Sequence, residues 1–148
     1  MPSMLHTVLR VHEALYKATG GLIGHRILGG VPTLLLHSTG RRSGVERVNA
    51  LTYLQDGDRW VVVASKGGSD TAPAWLHNVR AAPDVEVQIA RRHMPAVARV
   101  IRDEDPEYVR LWTALNKLNG GRYDEYQSRT KRRIPLVVLT PRSPSATP

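Results

Sequence analysis

Apolar residues along the chain follow two patterns, one of helical period and one of alternation, and together they lay out the elements. Leu5, Val8, Leu9, His12, Leu15 and Tyr16 recur at helical spacing against Arg10, Glu13 and Lys17. This predicts an amphipathic helix over residues 3–18, stopped by Gly20-Gly21. A loop through Gly24, Gly29-Gly30 and Pro32 leads into a strand over Thr33–His37. A strand over Arg47–Gln55 and another over Arg59–Ser65, joined by Asp56-Gly57, read as an antiparallel hairpin. Pro73 opens a helix to about Arg80, and Ala81-Ala82-Pro83 ends it. Val85, Val87 and Ile89 alternate with Asp84, Glu86 and Gln88, which predicts a half-buried strand over Asp84–Ala90. Arg91-Arg92-His93 links it to a further strand over Pro95–Arg102. Asp103-Glu104-Asp105-Pro106 starts a helix with acidic residues where its dipole favours them, and Val109, Trp112, Leu115 and Leu118 form the predicted buried stripe. Gly120-Gly121 closes that helix. A short helical turn then sets Tyr123 and Tyr126 on one side, and Ile134–Thr140 is the last strand. The pattern is mostly β with flanking helices, an α+β domain over 31–140. Residues 1–30 form a helix and glycine-rich loop before it, and 141–148 a tail whose composition suits disorder.

Length and composition narrow the chemistry. A chain of 148 residues suits one domain with a real core. Cysteine is absent, so disulfides and thiolate chemistry are excluded and a reducing compartment is the default. No run approaches the roughly 18 apolar residues of a membrane span, and residues 1–20 lack the core of a secretory signal. A cytoplasmic protein is expected. The N-terminal helix reads first as one laid on the core, and a basic amphipathic N-terminus can instead lie on an anionic membrane surface. Phenylalanine is absent as well, so aromatic contacts fall to Trp60, Trp75, Trp112 and five tyrosines, which carry polar handles. The formal charge of +8 attracts anions of any class.

That charge gathers in two glycine turns. Ser38-Thr39-Gly40-Arg41-Arg42-Ser43-Gly44 combines backbone freedom, hydroxyls and two guanidiniums, the ingredients of a phosphate or carboxylate site. A basic surface turn would use the same residues. Ser65-Lys66-Gly67-Gly68 ends the predicted hairpin, while the first turn enters it from the opposite strand. Both therefore lie at one end of the sheet, where Arg41, Arg42, Arg47 and Lys66 would repel one another without an anion between them. His25 and His37 show no metal-ligand spacing, His77 reads as a surface residue, and no metal is expected. Trp75 and Asn78 share one helix face.

In this order and spacing, several motifs resemble the deazaflavin-dependent nitroreductase family, which uses coenzyme F420. They are Thr39-Gly40-Arg41-Arg42-Ser43-Gly44, Arg47-Val48-Asn49, Asp56-Gly57, Ala64-Ser65-Lys66-Gly67-Gly68, Trp75 with Asn78, Ala81 with Pro83, Tyr123 to Ser128, and Ile134-Pro135. The resemblance covers residues 31–140. It implies a split β-barrel like that of the FMN-binding reductases, with the deazaflavin in a groove beside the barrel. It implies that Arg41, Arg42, Ser43 and Arg47 hold the cofactor's phosphate and oligoglutamate tail, with Val48 and Asn49 beside them. Ala64, Ser65, Lys66 and Gly67 run along its phosphate and ring. Trp75 and Asn78 complete the cofactor site, and Tyr123, Tyr126 and Ser128 face the substrate. The chain departs from the family pattern at Ala50, Leu76 and Arg129.

A reduced deazaflavin donates hydride, so the expected activity is reduction of an electron-poor small molecule: a quinone, an enone or a nitroaromatic. The acceptor also needs a proton, for which Tyr123 and Tyr126 are the candidates with Ser65 as a third donor. F420 is the expected cofactor over FMN, because several cations await a longer anionic tail. Two other classes use the same residues: a non-catalytic F420 or flavin binding protein, and a nucleic-acid-binding module. The latter is disfavoured because the cations sit in turns rather than along one helix.

Overall fold

The computed structural model describes residues 31–142. The predicted helix over 3–18, the loop to residue 30 and tail residues 143–148 lie outside the described residues. Seven strands form one antiparallel sheet: β1 (Thr33–Thr39), β2 (Glu46–Thr52), β3 (Leu54–Asp56), β4 (Arg59–Val63), β5 (Asp84–Ile89), β6 (Arg92–Ile101) and β7 (Leu136–Pro141). Three helices join them: α1 (Ala74–Ala81), α2 (Tyr108–Leu118) and α3 (Arg122–Ser128). No helix among the described residues is long and apolar enough to cross a membrane.

The strand order is β2-β1-β5-β6-β7-β4-β3. β2 and β3 are consecutive in the chain yet stand at opposite ends of that order. The sheet must therefore curl until its two edges meet at Tyr53, which gives the half-barrel of a split-barrel fold. Leu34, Leu36, Val62, Val87, Ala98 and Leu139 fill one face, with Trp75, Leu76 and Val79 of α1. Val61, Val63, Ile101, Leu136 and Val138 cover the other, beneath Tyr108, Leu111 and Leu115 of α2 and Tyr123 of α3. Because β4 and β7 are buried on both faces, they read as unbroken apolar runs, whereas β5 alternates.

The structure corrects several sequence expectations. The strand expected over Arg47–Gln55 is two strands: Tyr53 is buried and its N–H donates to the Pro32 carbonyl, and around it the chain exchanges β1 for β4 as its partner. β6 starts at Arg92 rather than Pro95, because Ala90 takes a left-handed φ of 54° and reverses the chain within two residues. The helix after Asp103 begins only at Tyr108, so its buried stripe is Tyr108, Leu111 and Leu115. Val109 is 70% exposed, and Trp112 and Leu118 are half-buried. Residues 103–107 make a turn instead, since Asp105 and Glu107 are drawn to Arg99 and Arg59. Pro141 extends β7 past Thr140, and the Arg142 N–H donates to the Pro95 carbonyl.

Candidate active site

The first glycine turn is closed by its own backbone. Gly40 N–H donates to the Val45 carbonyl at 2.8 Å, and the Gly40 carbonyl accepts from Gly44 N–H at 2.8 Å. A Cβ on Gly40 would stand 2.7 Å from Ser43 Oγ, so only glycine lets that hydroxyl fold into the loop. Ser43 Oγ accepts from Val45 N–H at 3.1 Å. The loop is fastened to α1 by the buried Asn78, whose Oδ1 accepts the Arg41 N–H at 3.0 Å. Arg41 and Arg42 themselves are exposed.

The second turn carries backbone strain. Ser65 is right-handed, while Lys66 and Gly67 follow at φ 46° and 64°. Such an alternation turns successive N–H groups to one side and makes an anion-binding concavity. Arg132 braces the turn: Nε donates to the Ser69 carbonyl at 2.8 Å, and one terminal nitrogen donates to the carbonyls of Ser65 at 2.9 Å and Ala64 at 3.3 Å. Burial in that position holds its pKa below the usual arginine value. Gly68 admits α3, because a Cβ there would lie 2.6 Å from the Tyr126 carbonyl oxygen.

The two turns and α1 enclose a cleft of about 990 Å³. It brings together Arg41, Arg42, Ser43, Arg47, Val48, Asn49, Lys66, Trp75 and Asn78 of the residues singled out in the sequence, and adds Gly40, Glu46, Pro73 and Ala74. Ala64, Ser65, Gly67, Tyr123 and Tyr126 are not among its walls. Four cations thus face one lone carboxylate, Glu46, and among the described residues none of the four is in an ion pair. Ser38, 3% exposed, leaves its Oγ without a hydrogen-bond partner, and it pairs across the ladder with Arg47 and so shares its face. Guanidiniums without ion pairs and an ammonium on the walls of one cleft are the donor set that a phosphate bearing several carboxylates requires, whereas Ser38 is not among those walls.

The tyrosines occupy different environments. Tyr123 is 5% exposed within the core under α2, and burial pushes its phenol up to about 12, with hydrogen bonding to Thr52 and Asn119 pulling the other way. Tyr126 is half-buried, with its ring centroid 6.1 Å from that of Tyr123 and the Arg129 guanidinium 5.6 Å over its ring. α3 is held by Asp124, which accepts from Trp112 Nε1 at 2.8 Å and Asn116 Nδ2 at 2.9 Å. Ser128 is exposed, and its hydroxyl donates to the Glu125 carbonyl. His77 is half-buried; burial, and then Arg41 and Arg80, lower its pKa. Arg132 is the residue that sequence reasoning missed, since its partners lie more than 60 positions away.

Comparison with known proteins agrees with this architecture. Residues 8–141 match the family model of the F420H(2)-dependent quinone reductases. An F420H(2)-dependent quinone reductase of Mycobacterium tuberculosis is 49% identical over 135 residues, 91% of each chain. The solved structure of an F420-H2 dependent reductase superposes with a TM-score of 0.66 at 34% identity, covering 73% of this chain and 93% of that one. The haem storage protein HutZ of Vibrio cholerae shares the fold alone, with a TM-score of 0.60 at 16% identity over 88% of this chain and 90% of that one. On the match over residues 8–141 and the identity to the mycobacterial reductase, the chain belongs to the F420H(2)-dependent quinone reductase family, oxidoreductases whose cofactor is coenzyme F420.

Proposed function

We propose that the cleft between the two glycine turns is the coenzyme F420 site and that the acceptor, a quinone, docks on the α3 side of it. The observation that carries this reading is the set of four cations without ion pairs, Arg41, Arg42, Arg47 and Lys66, lining one cleft. When bound, the reduced deazaflavin supplies a hydride; one proton must join it for the quinone to become a hydroquinone. Arg41, Arg42 and Arg47 would hold the phosphate and glutamate tail, and Lys66 with the turned N–H groups around it would anchor the phosphate nearer the ring. Trp75, 5% exposed on α1, gives a rigid wall, and Asn78 keeps the first turn against that helix.

For the proton, Tyr126 is the better of the two phenols. Tyr123 is enclosed in the core, whereas Tyr126 is half-buried next to Gly68, two residues along from Lys66. Ser65 is 9% exposed on the same turn and is the second donor. The test is a fluorescence titration of F420 and FMN at several salt concentrations. F420 is expected to bind more tightly, with an affinity that falls as salt rises. FMN binding equally well, or F420 affinity indifferent to salt, would overturn the tail-holding role of the arginines.

A further inference from the structure

A second cluster of polar side chains stands on strands β1, β2, β5 and β6. His37, Glu86 and His93 lie far apart in sequence, yet the antiparallel ladder sets His37 opposite Glu86 and His93 opposite Gln88. One ligand atom from each of His37, Glu86 and His93 lies within 4.8 Å of the others. His37 Nδ1 is 3.2 Å from Glu46 Oε1 and 3.9 Å from Glu86 Oε2, and His93 Nδ1 is 3.2 Å from that same Glu86 oxygen. A tetrahedral metal with bonds of about 2.0–2.1 Å sets its ligand atoms about 3.3 Å apart, so these spacings already approach the required edges.

The neighbour behind His37 makes the arrangement directional. Gln88 is 3% exposed; its Nε2 donates to the Ala90 carbonyl, which turns its Oε1 toward His37 Nε2 at 3.1 Å. An oxygen in that place demands a proton on Nε2. With Nε2 engaged in this way, Nδ1 is the ring nitrogen that faces the two carboxylates, where a cation could be shared among the three groups. A buried amide that fixes the tautomer and orientation of a histidine from behind is the usual support of a metal ligand. His93 is more open, its side chain 48% exposed, and can offer Nδ1 with its proton carried on Nε2.

We propose that His37, His93, Glu86 and Glu46 form a site for one divalent transition metal of the zinc class, which adjoins the cleft through Glu46 and uses none of its cations. Two imidazoles with carboxylates favour Zn²⁺, Ni²⁺ or Cu²⁺ over Mg²⁺, which prefers oxygen ligands alone.

The test is calorimetric titration of the full-length, tag-free chain, stripped with chelator and desalted, with ZnCl₂ and separately with MgCl₂. The expected result is one saturable Zn²⁺ equivalent and a melting temperature that rises with Zn²⁺. His93→Ala and Glu86→Gln, both at partly exposed positions, are expected to weaken that binding tenfold or more while their circular dichroism stays that of the parent. Absence of saturable Zn²⁺ binding overturns the proposal. So does unchanged affinity in both variants, which assigns the metal to other histidines, or Mg²⁺ binding as tightly as Zn²⁺, which leaves the imidazoles without a role.

Discussion

Arg42 and Lys66 stand on exposed turns closed mainly by backbone hydrogen bonds and by Arg132; the Lys66 side chain adds only a long, exposed bond of 3.4 Å to Thr71 Oγ1. Replacing either by alanine is expected to cost about 1.5–3 kcal/mol of F420 binding, the range for a charge-assisted hydrogen bond, with no change in melting temperature. A variant with lowered melting temperature and full affinity would make the cations a structural rim instead. The two phenols differ in the same way at the scale of single residues. Tyr126→Phe is expected to slow single-turnover oxidation of the bound reduced cofactor by a quinone about 10²–10⁴-fold at unchanged F420 affinity. Tyr123→Phe should keep that rate and lose about 1 kcal/mol of folding stability, since its hydroxyl is engaged inside the core. The reverse pattern of rates would move the proton donor to Tyr123.

At the scale of elements, α2 separates what a sequence pattern can and cannot carry. Its existence is legible from periodicity, but apolar residues stand on two adjacent faces, so a stripe of Val109, Trp112, Leu115 and Leu118 fits the period as well as the buried one of Tyr108, Leu111 and Leu115. Leu111→Ala is therefore expected to destabilise by about 2–5 kcal/mol, as a large-to-small change in a filled core does. Val109→Ser, on the solvent side, should move the urea midpoint little. Equal losses in the two variants would restore the stripe through Val109. The two glycine turns were legible because glycine, arginine and hydroxyl residues cluster locally; they do line one cleft, but not through the expected hairpin, since β2 pairs with β1 and only β3 pairs with β4. What stayed hidden is non-local: the change of partner at Tyr53, the bracing by Arg132 and the meeting of His37 with His93 all depend on how the sheet curls.

Across the whole molecule, the half-barrel is tied to α2 by charge as well as by the apolar core. Asp56 at the end of β3 takes bonds from Arg59 and from Arg110 of α2, and Arg59 also reaches Glu107 just before α2. The hydrogen bonds from Arg110 and then Arg59 hold the Asp56 carboxyl down at about 2, from an ordinary 3.8. A group whose folded pKa is depressed contributes stability above its unfolded value and loses it as pH falls through the folded one. The window here is pH 4 to 2, and the shift corresponds to about 2 kcal/mol, reduced in salt because Arg110 is well exposed. Asp105 and Glu107 are shifted down too, so they add to the same slope. At the alkaline end, Tyr108 and Tyr123 are both pushed up to about 12 by burial. Their contribution is complete below about pH 10 and is lost as pH rises toward 12, because the unfolded chain ionises first. Urea unfolding across pH 2–12 is thus expected to show a plateau with an acid and an alkaline fall. Asp56→Asn should flatten part of the acid limb and leave the alkaline limb untouched. An acid limb as steep in the variant as in the parent would remove Asp56 from the acid response and leave it to Asp105 and Glu107.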